Sequence, residues 1–239
     1  NGNRMSEELL AAFSETVREA REDEALRCLI VTGEGRSFCA GADLSDQVQR
    51  GDEGSALPHE RSYAMYEPFL SLLDVEVPVI GALSGHAIGG GLGLALVCDL
   101  RYAAKDAKFG ATFVSLGLTP GMAVSHLLPR LVGLPVAAEW LFTGRLFSGD
   151  EGASRGVFNE ALPRDEVLPR AQVVAESIAA NGPLAVRLTK RALIEGLGWS
   201  PKEAAFRESF VQAETFASRD AEEGIAAAIE GRKAHFEGK

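Results

Sequence analysis

Residues 84–93 have the sequence SGHAIGGGLG and follow an apolar run at 78–83 that predicts a buried β-strand. A second glycine-rich segment, RSFCAGADL at 36–44, follows the apolar run at 26–31. Each segment leads toward a predicted helix, and the first N–H groups of a helix have no acceptor within it. Glycine also lets backbone N–H groups approach a ligand closely. Two such loops side by side would present a pair of N–H donors to one carbonyl oxygen, which is the arrangement of an oxyanion hole.

A single glycine run has a simpler structural explanation, which is close packing of a helix against a strand. Other motifs that would explain it are absent from the chain. There is no G-x-G-x-x-G and no G-x-x-x-x-G-K-[ST], which argues against dinucleotide and P-loop phosphate sites. His59-Glu60 is followed by Tyr63 where a zincin motif needs histidine.

On both sides of these segments, short apolar runs that predict strands alternate with stretches whose apolar residues recur at helical spacing. Ser6 is a candidate N-cap for the first helix, and Ser148 with Glu151 fits a capping box. A loop is predicted at 33–43 and a mobile polar segment at 50–60. The strands are predicted at 26–31, 78–83, 100–104 and 108–110, and the helices at 6–20, 63–73, directly after Gly89, 122–131, 135–142, 163–180, 183–196, 201–217 and 220–236.

The alternation of strands and helices is typical of an α/β fold. We expect residues 1–180 to form the core of this fold and residues 181–239 to form a helical C-terminal region. That region is predicted to be either a small second domain or a lid and oligomerisation element.

The amino-acid composition and the net charge limit the kinds of molecule that this protein is expected to bind. The 239 residues are 46% hydrophobic and 24% charged, as in ordinary globular proteins, and the formal net charge is −10. Such a surface repels nucleic acid and anionic membranes, so neither is expected as a partner. The apolar run at 87–98 is shorter than the ~20 residues of a membrane-spanning helix. Three cysteines without a CxxC pair predict no disulfide or metal site and favour a reducing, cytoplasmic location.

Taken together, the two glycine-rich segments resemble the crotonase family, also called the enoyl-CoA hydratase/isomerase family. Further pieces that match this family occur in its order along nearly the whole chain. They are IVTG at 30–33, FCAGADL at 38–44, PVI at 78–80, GHAIGGG at 85–91, CDLR at 98–101, KFG at 108–110, GLTPG at 117–121, LPR at 128–130, TGR at 143–145 and EGI at 223–225. The β-hairpin with which family members usually open does not occur in these residues.

The resemblance implies a crotonase-like superhelix of ββα turns with the acyl-CoA site in residues 1–180. The C-terminal helices would pack a homotrimer or a hexamer. It also implies that the protein binds an acyl-CoA thioester and stabilises its enolate. Coenzyme A would be part of the substrate, and no separate cofactor or metal is expected.

Site residues follow from the matched motif positions. The oxyanion-hole N–H groups would be those of Ala42 and Gly90. The substrate-binding residues implied or considered are Ala40, Asp43, Leu44, His86 and Phe113. Asp43 has a structural alternative as the cap of a following helix, and His86 has one as a histidine hydrogen-bonded to backbone.

The chain departs from the family at the positions that carry its acids. Hydratases of the family place glutamates where this chain has Gly93 and Phe113, and isomerases place an acid where it has Gly121. Hydration needs groups that transfer protons, and none of these three residues can do so. Two hypotheses remain open: a lyase or isomerase with a non-standard acid/base residue, or a non-catalytic acyl-CoA binding protein.

Replacement bases and phosphate ligands are also candidates in this sequence, each with a solvated or structural alternative. The potential bases are His59, Glu60, His86, His126 and Glu139. The cations that would either hold the CoA phosphates or face solvent are Arg187, Lys190, Arg191, Arg232 and Lys233.

Overall fold

The computed structural model describes residues 2–42 and 57–239. The first helix, α1 (Glu7–Glu22), begins where the sequence predicts. The Ser6 hydroxyl accepts a hydrogen bond from the Leu9 N–H, and two acidic residues in the first turn complement the helix dipole. The helix buries Leu10 and Val17, which are two helical turns apart, against the core.

The strands come in pairs along the chain, and the first three pairs divide their members between two sheets. The pairs are β1 (Leu29–Thr32) with β2 (Ser37–Cys39), β3 (Val79–Leu83) with β4 (His86–Ile88), and β5 (Leu100–Ala104) with β6 (Lys108–Gly110). Two later strands, β7 (Phe147–Ser148) and β8 (Glu160–Leu162), complete the sheets. One sheet has the order β1-β3-β5-β8 and the other β2-β4-β6-β7.

All neighbours in these sheets are parallel except β6 and β7, which are antiparallel. Every residue of β3 is buried, as expected for a central parallel strand covered on both faces. Each ββα turn therefore adds one strand to each sheet and returns through a helix. The predicted α/β fold with ββα turns is confirmed.

Helices follow the strand pairs and then occupy the rest of the chain. After α1 they are α2 (Pro58–Leu70), α3 (Gly90–Val97), α4 (Val124–Val132), α5 (Leu134–Thr143), α6 (Gly149–Ser154), α7 (Val167–Ala179), α8 (Pro183–Glu195), α9 (Pro201–Phe216) and α10 (Arg219–Glu230). Short 3-10 turns lie at Ser71–Asp74, Thr112–Leu116, Arg164–Glu166 and Gly196–Gly198. No helix in the described residues combines the length and apolarity that a membrane crossing requires.

Several local predictions are wrong. Strand β2 lies within the predicted loop at 33–43, and β4 lies within the glycine-rich segment at 84–93, because three residues suffice for a ladder between neighbouring parallel strands. The predicted mobile segment at 50–60 overlaps α2, whose first turn carries Pro58. The rest of that segment, 50–56, lies outside the described residues. The final helix ends at Glu230 rather than 236, with Gly231 left-handed at its C-terminus.

Candidate functional site

The two glycine-rich segments emerge from neighbouring strands of one sheet at the same level. In the parallel pair of β2 and β4, Cys39 is in register with Ala87. Ala42 and Gly90 each follow their paired residue by three positions. The backbone of Ala42 also forms a parallel bridge with Met5, whose N–H donates to the Gly41 carbonyl at 3.0 Å. The register thus brings the segments that contain the two predicted donors side by side beyond the sheet.

Gly41 shows how closely these segments approach. A Cβ built on Gly41 would lie 3.4 Å from the Gly90 nitrogen and 2.6 Å from the Ile88 carbonyl oxygen. Gly41 also has a φ of +82°, which residues with a side chain rarely adopt. The chain requires glycine at this position for both reasons, and the segment before Ala42 lies against the start of α3.

Gly90 is the first residue of α3, so its N–H belongs to the group that has no acceptor within the helix. Gly89, which precedes it, turns the chain with a φ of +57°. Gly91 has a packing role, because a Cβ there would overlap the Cys39 carbonyl. The glycine run therefore serves close helix–strand packing at Gly91 and places the helix N-terminus, with its partial positive charge, at the buried Gly90.

Side chains without acidic groups surround this helix start. A Cβ on Gly90 would overlap the Met5 sulfur, and a Cβ on Gly93 would overlap the Met122 Cβ. The Phe113 ring lies 3.9 Å from the Cβ position of Gly89. Position 93 is therefore too crowded for a carboxylate side chain as long as Met122 is in place.

Met122 is held there by an unusual backbone. Met122 and Ala123 both have positive φ values, 55° and 54°, although neither is glycine. Met122 is 1% exposed. Consecutive left-handed residues with side chains are uncommon, and such strain clusters at functional sites. The strained turn directs the Met122 side chain onto α3.

Tyr66 occupies the place of the third missing acid. Its hydroxyl oxygen lies 2.5 Å from the Cβ position of Gly121. Tyr66 belongs to α2, outside every matched motif, and its side chain is half-buried. Sequence reasoning missed Met5, Met122 and Tyr66, because no motif marks them and only the packing shows which residue faces each glycine.

His86 is the first residue of β4, and its Nδ1 accepts a hydrogen bond from the Lys108 N–H at 2.9 Å. In the neutral imidazole the proton then lies on Nε2. This bond to backbone matches the structural alternative for His86. His86 lies four residues before Gly90, the first residue of α3, with the turn at Gly89 between them.

The other predicted bases are occupied elsewhere or exposed. The Glu60 carboxylate accepts from the Leu57 N–H at 2.8 Å at the start of α2. Glu139 pairs with Arg145 at 3.0 Å, and its side chain is 58% exposed. His59 and His126 are exposed on helices.

Two of the five candidate cations of the C-terminal region, Lys190 and Arg232, pair with carboxylates. Lys190 is buried, and its ammonium group lies 2.7 Å from Asp99 and 3.0 Å from the Val77 carbonyl. Both predictions for Lys190, a phosphate contact and a solvated position, are therefore wrong. Arg232 pairs with Glu223 and Glu230.

Two further site predictions concern the first loop. The Ala40 N–H donates to the Gly2 carbonyl at 3.0 Å, which ties this segment to the chain before α1. Asp43 and Leu44 lie outside the described residues.

Burial raises the pKa of the nearby Cys39 thiol to about 11, so this cysteine is protonated at neutral pH and is a poor nucleophile. Within the described part of the chain, no group of three or more His, Cys, Asp or Glu residues is placed to hold a metal ion.

Comparison with known proteins agrees with this arrangement. A sequence model described as enoyl-CoA hydratase/isomerase matches residues 1–239. A crotonyl-CoA hydratase from Syntrophomonas wolfei is 37% identical over 236 residues, which cover 98% of this chain and 89% of that protein. The human mitochondrial enoyl-CoA hydratase domain-containing protein 2 is 36% identical over 243 residues, covering 100% of this chain and 81% of that protein.

Solved structures lead to the same conclusion. The crystal structure of an enoyl-CoA hydratase from Bacillus anthracis superposes with a TM-score of 0.92 at 32% identity, covering 100% of this chain and 92% of that one. Paired strands in two sheets, two glycine-rich loops in register and a match over the full length all agree. The chain therefore belongs to the enoyl-CoA hydratase/isomerase family and has the crotonase fold.

Proposed function

We propose that this protein binds an acyl-CoA thioester and stabilises the enolate form of its acyl group with the backbone N–H groups of Ala42 and Gly90. The observation that carries the proposal is the register of Cys39 with Ala87, which brings both segments to one place at the N-terminus of α3. Enolate charge gathers on the thioester oxygen, and fixed N–H donors stabilise such charge more than they stabilise the neutral carbonyl. A single donor of this kind typically contributes ~3–4 kcal/mol.

The reaction we propose is a lyase or isomerase reaction other than the usual hydration of crotonyl-CoA. The three positions where relatives carry acids are Gly93, Phe113 and Gly121 in this chain. Met122 packs on the first of them and Tyr66 on the third. An acyl site lined by these side chains would favour an apolar acyl group over a bound water molecule.

A non-catalytic acyl-CoA binding protein is the second candidate. It is supported by the same apolar environment, because none of the described atoms nearest to the Cβ positions of Gly89, Gly90, Gly93 and Gly121 belongs to a carboxylate. Retained backbone donors without a proton-transfer group would still hold a thioester carbonyl.

The two candidates differ in whether an enolate forms. We would incubate the protein with butyryl-CoA in D2O and follow the α-proton signal by NMR. Loss of the α-proton signal, catalysed by the protein, is expected if an enolate forms. Binding without any exchange, together with no turnover of enoyl- and 3-hydroxyacyl-CoAs, would favour the binding protein.

The oxyanion hole has a separate test that needs no turnover. The carbonyl stretch of butyryl-CoA labelled with 13C at the thioester carbon is measured free and bound by infrared difference spectroscopy. Two N–H donors polarise the carbonyl, so the band is expected at lower wavenumber in the complex. A bound thioester with an unshifted carbonyl band would contradict the assignment of Ala42 and Gly90.

We further propose that the protein is a cytoplasmic homotrimer or hexamer that acts in fatty-acid metabolism. Support for assembly comes from large apolar side chains that are exposed on the C-terminal helices of the single chain. They are Leu193, Phe206, Phe210, Phe216 and Ile229. Patches of this kind on one chain often mark interfaces, and sedimentation equilibrium would give the mass of the assembly.

A further inference from the structure

Tyr66 reaches from α2 to the turn at Gly121. A Cβ on Gly121 would lie 2.5 Å from the Tyr66 hydroxyl oxygen and 2.7 Å from Cζ. Gly121 is not among the residues with a positive φ, so its backbone is open to other amino acids. The phenol end of Tyr66 is therefore what occupies the space that a side chain at 121 would need.

Gly121 is separated from the proposed carbonyl site at Gly90 by one residue, Met122. Met122 follows Gly121, and its side chain packs over Gly93 and lies 3.8 Å from the Cβ position of Gly90. Met122 thus connects the turn that Tyr66 contacts with the start of α3, and helices α2 and α3 pack against each other.

The hydroxyl is available to a ligand. Tyr66 is half-buried, and its hydroxyl makes no hydrogen bond to any residue within 2–42 or 57–239. The other side chains nearest to the glycines of the site are apolar: Met5, Phe113 and Met122. A lone hydroxyl in apolar surroundings discriminates between ligands, because a ligand with an oxygen at that point satisfies it and one without leaves it unpaired.

We propose that Tyr66 is a specificity-determining residue, whose hydroxyl donates a hydrogen bond to an oxygen on the β-carbon of the bound acyl group. The preferred ligands are then 3-oxoacyl- and 3-hydroxyacyl-CoA thioesters rather than saturated ones of equal length. This inference rests on the proposed function, because it assumes that the thioester carbonyl sits at Gly90.

The test compares acetoacetyl-CoA with butyryl-CoA, which have four acyl carbons each and differ at the β-carbon. Dissociation constants are measured by isothermal titration calorimetry on the full chain. The wild type is expected to bind acetoacetyl-CoA roughly fivefold more tightly, the size of one net hydrogen bond. Tyr66→Phe should bring this ratio close to one while leaving the butyryl-CoA affinity nearly unchanged.

Tyr63→Phe is the matched control, since Tyr63 lies one turn earlier on α2 and is 60% exposed. It should keep the wild-type ratio. Gly121→Ala is an independent variant, because its Cβ displaces the Tyr66 ring while the hydroxyl remains in the protein. Gly121→Ala should reduce the ratio as well. If Tyr66→Phe folds poorly, this variant still tests the role of Tyr66.

Each result decides something. A ratio that is the same in the wild type, Tyr66→Phe and Gly121→Ala overturns the role of Tyr66. If the wild type binds both thioesters and shifts the carbonyl band, that result leaves the proposed function intact. Absence of binding for both thioesters in the wild type would reject the proposed function and this inference together.

Discussion

The ammonium group of Lys190 lies 2.7 Å from the Asp99 carboxylate and joins α8 to the start of β5. Asp99 also accepts a hydrogen bond from the Val79 N–H at 2.8 Å, and Lys190 donates to the Val77 carbonyl. The pair therefore fixes the C-terminal helices to the first sheet in the segment that precedes β3.

Removing the cation from this pair should destabilise the fold. Lys190→Met leaves Asp99 without its partner, and we expect a loss of about 2–4 kcal/mol in the free energy of unfolding, somewhat less than for a fully buried pair because Asp99 is partly exposed. Urea denaturation measures the loss. The neighbouring exposed residue offers the control Arg191→Ala, which should change the midpoint little. Equal midpoints for both variants would show that the pair contributes nothing.

A methyl group on Gly90 should disturb the candidate site through Met5. Its Cβ would overlap the Met5 sulfur, so we expect Gly90→Ala to cost about 1–3 kcal/mol of stability and to weaken butyryl-CoA binding. Gly198→Ala is the control glycine, since nothing lies within 4 Å of its Cβ position. Adding Met5→Ala to Gly90→Ala should restore part of the butyryl-CoA affinity. Calorimetric titration that shows no recovery in the double variant would rule out Met5 as the cause.

A carboxylate at position 93 should be tolerated only when Met122 is made smaller. Gly93→Glu alone is expected to lower the melting temperature and to give no hydration of crotonyl-CoA, because its Cβ overlaps that of Met122. Met122→Gly frees this space and suits the φ of +55° at that position. The triple variant with Gly93→Glu, Phe113→Glu and Met122→Gly is then expected to gain measurable hydration.

The loss of absorbance of the crotonyl-CoA double bond measures this gain, with Phe113→Glu and Met122→Gly as the control pair. A Gly93→Glu protein as stable as the wild type would contradict the crowding at position 93.

Acid should loosen the C-terminal tail in a defined pH window. Arg232 and the His235 N–H hold the pKa of Glu223 at about 2, below the ordinary value of 4.5. A lowered pKa means that the contribution of this carboxylate is complete above pH 4.5 and is lost as the pH falls toward 2. Hydrogen exchange of the His235 amide should therefore accelerate, beyond its intrinsic pH dependence, across that window.

Arg232→Gln removes the charge that lowers this pKa, so the same loss of protection should begin at a higher pH. Lys239→Gln alters a pair at the chain end with both side chains exposed and serves as the control. An unchanged pH dependence in Arg232→Gln would mean that the tail is held by other contacts.

The strands β1, β3, β5 and β6 and most of the helices could be predicted from the sequence, because apolar runs and helical periodicity mark them directly, whereas β2, β4, β7 and β8 were missed. Ser6 and Ser148 show how local chemistry fixes helix starts, since each hydroxyl accepts a backbone N–H three residues on. Glu151 fitted a capping box, but its carboxylate pairs with Arg145 at 2.6 Å. A tertiary partner thus replaced the local interaction that the motif predicts.

The side chains around the candidate site could not be predicted, because they depend on packing between distant segments. Met5, Tyr66 and Met122 belong to separate parts of the chain and meet the glycines of the site only after folding. The strands β2 and β4 were missed for a related reason, as glycine-rich sequence masks the short ladder that pairs Cys39 with Ala87.

That ladder also bears on how such a site can change over evolutionary time. Neighbouring parallel strands lie about 4.8 Å apart whatever side chains they carry, so the spacing of the two segments beyond them is inherited from the sheet itself. If a carbonyl is held there, as we propose, substitutions at 93, 113 and 121 would exchange one acid/base chemistry for another without rebuilding that place. The backbone would preserve the anchoring of the ligand while the surrounding side chains diverge.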